Sequence, residues 1–182
     1  MSDFPEFVEF PKMARLSREI VITEKIDGTN AQVAVLDDGR VIAGSRSRWI
    51  TPENDNFGFA AWVRDNEAAL RELGPGNHFG EWWGAGIQRR YNLTEKRFSL
   101  FNVARWGEVR PACCGVVPVL YRGHFDMCAV VDALDDLRES GSKASPGFMN
   151  PEGIVLFHTA ANLCFKKTLE KDEVPKAPQR AA

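Results

Sequence analysis

Residues 18–33 read REIVITEKIDGTNAQV. The run Ile20-Val21-Ile22 is β-branched and suits a strand, which carries on through Thr23, Glu24 and Lys25 to about Ile26. Asp27-Gly28 then breaks the pattern as a turn. A lysine at the end of a buried-looking strand is costly to desolvate unless its amine has a partner or a task. The fold turns on what the rest of the chain brings to Lys25.

Downstream, strand patterns cover Ala31–Leu36 and Val41–Ser45. The turn Asp37-Asp38-Gly39 joins them, because Asp-Gly accepts the positive φ of a primed hairpin. A helix is expected from about Phe57 to Leu73, with Thr51, Asn54 or Asp55 as N-cap and Gly74-Pro75 as the stop. Its apolar positions Phe59, Trp62, Val63, Ala69, Leu70 and Leu73 fit a helical period. Strands are expected at His78–Trp83, Arg97–Val103 and Val116–Tyr121, then a helix from about Asp126 to Arg138, then strands Gly153–His158 and Asn162–Thr168. Runs of strands punctuated by helices, without βαβ alternation, predict an α+β chain rich in antiparallel strands.

The chain has 182 residues, 44% of them hydrophobic and 26% charged, which suits one domain with a real core. That domain is read as residues 1–170, with KDEVPKAPQRAA at 171–182 as a frayed tail. No apolar run reaches the roughly 18–20 residues of a membrane span. The acidic start MSDFPEFVEFPK lacks the features of a signal peptide, so a soluble, cytoplasmic protein without membrane partners is expected. Cys113, Cys114, Cys128 and Cys164 have no metal-ligand spacing and read as reduced structural thiols. A net charge of −2 argues against coating nucleic acid over the whole surface, but not against gripping an end with a few arginines.

After TEKIDGTNAQV come, in order, GSRSRW (44–49), FGEWWG (79–84), FSLFNV (98–103), PEGIVLF (151–157) and CFKKT (164–168). This ordered series resembles the covalent nucleotidyltransferases, the superfamily of ATP-dependent ligases and mRNA capping enzymes. The segments SRSRWITPENDNFGFA, FGEWWGAGIQRRY, VPVLYRGHFD and NPEGIVLF are most similar to the phage-type RNA ligase family. The resemblance runs from about Pro11 to Glu173. It implies an ATP-grasp-like nucleotidyltransferase core of antiparallel sheets flanked by helices.

In that chemistry a lysine amine attacks the α-phosphate of ATP, giving a lysyl-AMP and releasing pyrophosphate. The amine must be unprotonated, against a free-lysine pKa of ~10.4, and burial with cations nearby would favour that form. By resemblance Lys25 is the nucleophile. Asp27 orients it or binds metal, with plain turn chemistry as the alternative, and Gly28 lets backbone approach the phosphate. Glu24 takes the place where the family meets the adenine, partly through backbone groups. Arg46 would grip phosphate or ribose through its guanidinium fork, with Arg48 as the competing choice. Glu81 would hold the ribose hydroxyls.

Phe101 matches the aromatic on which adenine stacks, although composition alone would place it in the core with Phe98 and Leu100. Glu152 matches the acidic residue that positions Mg²⁺ or Mn²⁺, ions that need only one or two carboxylates beside substrate phosphates. Lys166 matches the lysine on the α-phosphate. Strand alternation lets only one of Lys166 and Lys167 face the nucleotide, and Lys166 is preferred, with Lys167 on the other face or reaching substrate. Arg89 and Arg90 either touch nucleic-acid phosphates or lie in a solvated loop.

The resemblance implies an ATP-dependent polynucleotide ligase acting on RNA ends and possibly DNA ends. A DNA-specific nick ligase, a capping-type guanylyltransferase and a non-catalytic binder of nucleic-acid ends are the alternatives. About 14 residues follow Thr168, so no OB-fold or other C-terminal domain is expected, and a helper protein would stand in its place.

Overall fold

The structure, a computed structural model, describes residues 5–173. Of the expected tail, residues 174–182 lie outside them. The described residues form ten strands and three α-helices in two sheets. The strands are β1 Glu19–Lys25, β2 Thr29–Val35, β3 Val41–Ser45, β4 Trp49–Ile50, β5 Gly76–Gly84, β6 Lys96–Leu100, β7 Cys114–Val116, β8 Val119–His124, β9 Gly153–His158 and β10 Leu163–Thr168. The helices are α1 Phe59–Asp65, α2 Glu67–Leu70 and α3 Met127–Ser140.

One sheet has four antiparallel strands in the order β10-β9-β1-β8; the other has six, β4-β3-β2-β5-β6-β7, antiparallel except for the parallel pair β6-β7. The outer face of the six-stranded sheet carries Ala31, Val33, Trp82 and Phe98 and is sealed by Phe59, Val63, Leu70 and Leu73 of the helical segment. The outer face of the four-stranded sheet, with Ile20, Ile22, Ile154 and Leu156, is sealed by Val130, Ala133, Leu134 and Leu137 of α3. Those α3 positions follow an i, i+3, i+4, i+7 stripe, and burying Val130, Leu134 and Leu137 is worth roughly 1.5–3 kcal/mol each. Asp126 starts α3 by accepting from Cys128 N at 2.8 Å, and Gly141 at φ 77° ends it.

The inner faces meet around a third cluster of Ile26, Trp83, Tyr91, Val117 and Phe148. The chain passes between the sheets at Ile26–Gly28 and again at Val117-Pro118. The second passage corrects the single strand expected over Val116–Tyr121. Pro118 has no N–H to give a ladder, so β7 ends in one sheet and β8 begins in the other.

The helix expected over 57–73 is also broken. Asp55 does act at its start, its carboxylate accepting from Ala60 N at 2.7 Å and Ala61 N at 3.0 Å. Asn66 then turns its amide onto the Trp62 carbonyl at 2.8 Å and leaves helical geometry, a competition for backbone that asparagine is prone to. A short α2 and a 3₁₀ turn over Arg71–Leu73 complete the segment before Gly74 at φ 74°.

Candidate active site

Lys25 is the last residue of β1, on the inner face of the four-stranded sheet. Across the ladder it stands opposite Gly153, and Thr23 stands opposite Val155, which in turn faces Lys166. Side chains opposite one another share a face, so Lys25, Val155 and Lys166 all look into the space between the sheets. Lys167, opposite Ile154, lies on the other face, where its ammonium meets Asp172 Oδ2 at 3.0 Å. The register thus puts Lys166 on the surface that Lys25 shares and Lys167 on the opposite one, the first of the two places expected for it.

Lys25 Nζ lies 2.5 Å from Glu152 Oε2, with side chains 19% and 5% exposed. This is the partner that the sequence required of a lysine in that position. From the facing sheet comes Glu81, opposite Asn30 and Ser99 on the inner face of β5. Its carboxylate accepts from Gly28 N at 3.0 Å and from Asn30 Nδ2 at 3.1 Å. Burial pushes the Glu81 carboxyl up to about 7, although the Lys25 charge and both hydrogen bonds pull the other way. Gly28 is tight for a reason besides ligand approach: a Cβ there would sit 2.4 Å from the Trp82 carbonyl and 2.7 Å from Trp83 Cβ.

Asp27 is held from two sides by the loop after β5. Its N–H donates to Tyr91 Oη at 2.8 Å, and its Oδ2 accepts from Arg89 Nε at 3.0 Å. The same guanidinium donates to the Asn150 carbonyl at 3.0 Å and to Asn150 Oδ1 at 2.7 Å. Arg89 therefore braces the turn after Lys25 against the segment that delivers Glu152. Arg90, Tyr91 and Asn92 all have positive φ, a run that non-glycine residues adopt only under strong constraint. Arg90 is exposed.

Glu24 is buried, and its carboxylate is occupied by residues 142–144: Ser142 Oγ donates at 2.5 Å, Lys143 N at 2.7 Å and Ala144 N at 2.9 Å. Burial still raises its pKa against these hydrogen bonds. The side chain is thus a tie to the loop before β9. Arg46 is exposed at the end of β3, and Arg48 closes the tight β3–β4 turn, its carbonyl accepting from Ser45 N at 2.8 Å. Phe101 falls just past the end of β6 and is 40% exposed, whereas Phe98 and Leu100 are fully buried. Its ring is available at the surface rather than spent in the core.

Sequence reasoning missed three contributors: Tyr91, Asn30 and the 142–144 loop. Asn30 was legible, since alternation puts it beside the strand that bears Glu81. Nothing in GIQRRYN foretells the backbone winding that brings Tyr91 to Asp27. Among the described residues no group of three or more His, Cys, Asp or Glu gathers as a metal cage. The donor set fits an ion held mainly by substrate phosphates with Glu152 as a protein ligand.

Residues 18–171 match the protein-family model described as RNA ligase. Comparison with curated proteins gives no significant match. A Naegleria gruberi RNA ligase variant in its apo form is 19% identical, with a TM-score of 0.62 over 91% of this chain and 56% of that one. Another Naegleria gruberi RNA ligase variant, with ATP and Mn, is 18% identical, with a TM-score of 0.57 over 91% and 57%. An archaeal ATP-dependent RNA ligase is 18% identical, with a TM-score of 0.58 over 89% of this chain and 48% of that one. At such identities the likeness is one of fold, and this chain spans about half the length of those ligases.

Proposed function

This chain belongs to the RNA ligase family of the nucleotidyltransferase superfamily, and from that premise we propose that it is an ATP-dependent RNA ligase working through a lysyl-AMP at Lys25. Residues 1–170 form the adenylating unit in this reading. The observation that carries it is that Lys25 pairs with Glu152, lies within electrostatic reach of Glu81 from the facing sheet, and shares its sheet face with the exposed Lys166.

In the first step Lys25 Nζ gives up a proton, and Glu152 Oε2 at 2.5 Å is the nearest acceptor. The nitrogen lone pair attacks the α-phosphorus of ATP. The P–N bond forms as the bond to the bridging oxygen breaks, and pyrophosphate leaves with that electron pair. Loss of a second proton from the nitrogen to solvent leaves a phosphoramidate whose nitrogen is neutral and whose phosphoryl oxygens carry one negative charge. Lys166, on the same sheet face, places positive charge beside the phosphates as negative charge builds. Glu81 offers carboxylate oxygens to the ribose hydroxyls, Phe101 a ring face to the adenine, and Arg46 a guanidinium to phosphate. Mg²⁺ or Mn²⁺ at Glu152 would supply neutralisation of phosphate charge when bound.

In the second step a 5′-phosphate oxygen of the RNA attacks the same phosphorus, and the P–N bond breaks to return the amine. In the third step a 3′-hydroxyl attacks the activated 5′-phosphate and AMP departs. Incubation with α-labelled ATP and Mg²⁺ is expected to give an adenylated protein, and Lys25→Ala to give none. A GTP arm in the same assay separates a capping-type reaction. Labelling of Lys25→Ala at the wild-type level would overturn the proposal.

A further inference from the structure

The inner face of the six-stranded sheet carries more than the adenylation site uses. One two-residue step along β5 from Glu81, on the same face, stands Phe79, which is 55% exposed. Its cross-strand neighbours are Gln32 on β2 and, one position past the end of β6, Phe101, whose N–H donates to the Phe79 carbonyl. On the far side of Gln32 the register continues to Gly44, and a Cβ at Gly44 would lie 3.1 Å from two ring carbons of Trp49. The missing side chain makes a bed for that indole, which is 54% exposed. A single row thus runs Trp49, its indole laid over Gly44, then Gln32, Phe79 and Phe101, across five strands.

Isolated exposed aromatics are ordinary. Three in one cross-strand row, beside the side-chain amides of Asn30, Gln32 and Asn77, are not. The outer face of the same strands carries the large buried cluster under the helical segment, so this opening is not a thin or unfinished core. Rings interleaved with hydrogen-bonding amides, and arginines at the strand end (Arg46 and Arg48), match the needs of unpaired nucleobases: a face to stack on and polar groups for base edges and phosphates. Adjacent strands lie about 4.8 Å apart, so Trp49 over β3 and Phe79 on β5 are separated by about 10 Å, room for separate bases.

We propose that Trp49 and Phe79 form a stacking platform for unpaired bases of the RNA strand, continuous with the Phe101 nucleotide site, so that the substrate presents a single-stranded end rather than a fully paired nick. This rests on the RNA ligase reading, but its test is separable from it. The full chain and the Trp49→Ala/Phe79→Ala double variant are compared in three assays. These are adenylation of Lys25 by labelled ATP, anisotropy of a fluorescein-labelled mixed-sequence RNA hexamer, and joining of pre-adenylated RNA as single strands and as a paired nick.

Adenylation should stay within about twofold, since the partners that hold Lys25 and Glu81 are Glu152, Gly28 and Asn30; its loss in the wild type would sink the ligase reading instead. Hexamer affinity should fall about 5- to 150-fold per ring lost. Single-strand joining should fall with it, while nick joining is spared. The ring-preserving Trp49→Phe/Phe79→Tyr variant should retain hexamer binding. Unchanged hexamer affinity in the alanine variant, or equal loss on single strands and nicks, would overturn the proposal, as would binding lost equally in both variants.

Discussion

Replacing Glu81 by glutamine isolates one titration. In the folded chain burial holds the Glu81 carboxyl at about 7, against an ordinary value of 4.5. A raised acid favours folding while both states are protonated, below about pH 4.5. That stability is lost as the pH climbs, because the unfolded chain ionises first, and it is gone above about pH 7. At about 1.36 kcal/mol per pH unit, the difference between 4.5 and about 7 amounts to an order of 3 kcal/mol. Glutamine keeps an oxygen for Gly28 N but never ionises. The stability of Glu81→Gln minus that of the wild type should therefore grow by about 3 kcal/mol between pH 4.5 and pH 8. Urea unfolding at closely spaced pH values reads this, and taking the difference cancels the titrating groups that do not interact with Glu81. Parallel curves from pH 4.5 to 8 would refute the claim that this carboxylate is buried at the joint between the sheets.

Arg89→Met should remove the brace between Asp27 and Asn150, costing roughly 1–3 kcal/mol for a partly exposed pair and slowing adenylation more than joining of pre-adenylated ends. Unfolding curves and single-turnover rates check it. Gly28→Ala should cost roughly 1–3 kcal/mol, because the atoms in the way include backbone of β5 that cannot swing aside; a lowered Tm reports it. Lys166→Ala should slow Lys25–AMP formation by roughly 10²-fold or more. Lys167→Ala should stay within about twofold of wild type, since that side chain lies in an exposed pair on the other face.

Where local chemistry rules, the fold was legible. β3 and β9 have the bounds read from their alternation and turn residues, and Asp126 and Gly141 frame α3 as capping rules predict. The failures have physical causes. Asn66 ends a helix that its apolar spacing would continue, because its amide competes for the Trp62 carbonyl. Val116–Tyr121 looks like one strand until Pro118 is charged with its missing donor. Alternation correctly put Lys166 and Lys167 on opposite faces of β10. The resemblance, not composition, singled out Phe101, and its exposure bears out a surface ring. The brace that Arg89 makes on Asp27 and the role of Tyr91 stayed hidden because their placement depends on three consecutive positive-φ residues, a tertiary choice that no local pattern announces.

The two passages between the sheets lie side by side, with Glu24 N donating to the Pro118 carbonyl at 2.9 Å. Lys25 sits one residue from the first of them, so its amine lies at the fulcrum of two jaws. Splaying those jaws would carry the tip at Asp37–Gly39 and the far end of β10 through a wide arc, yet leave the nitrogen nearly still. Its aim is stored in the backbone of the joint. The tips of the molecule are therefore the places where length and outline are free to vary without re-aiming it.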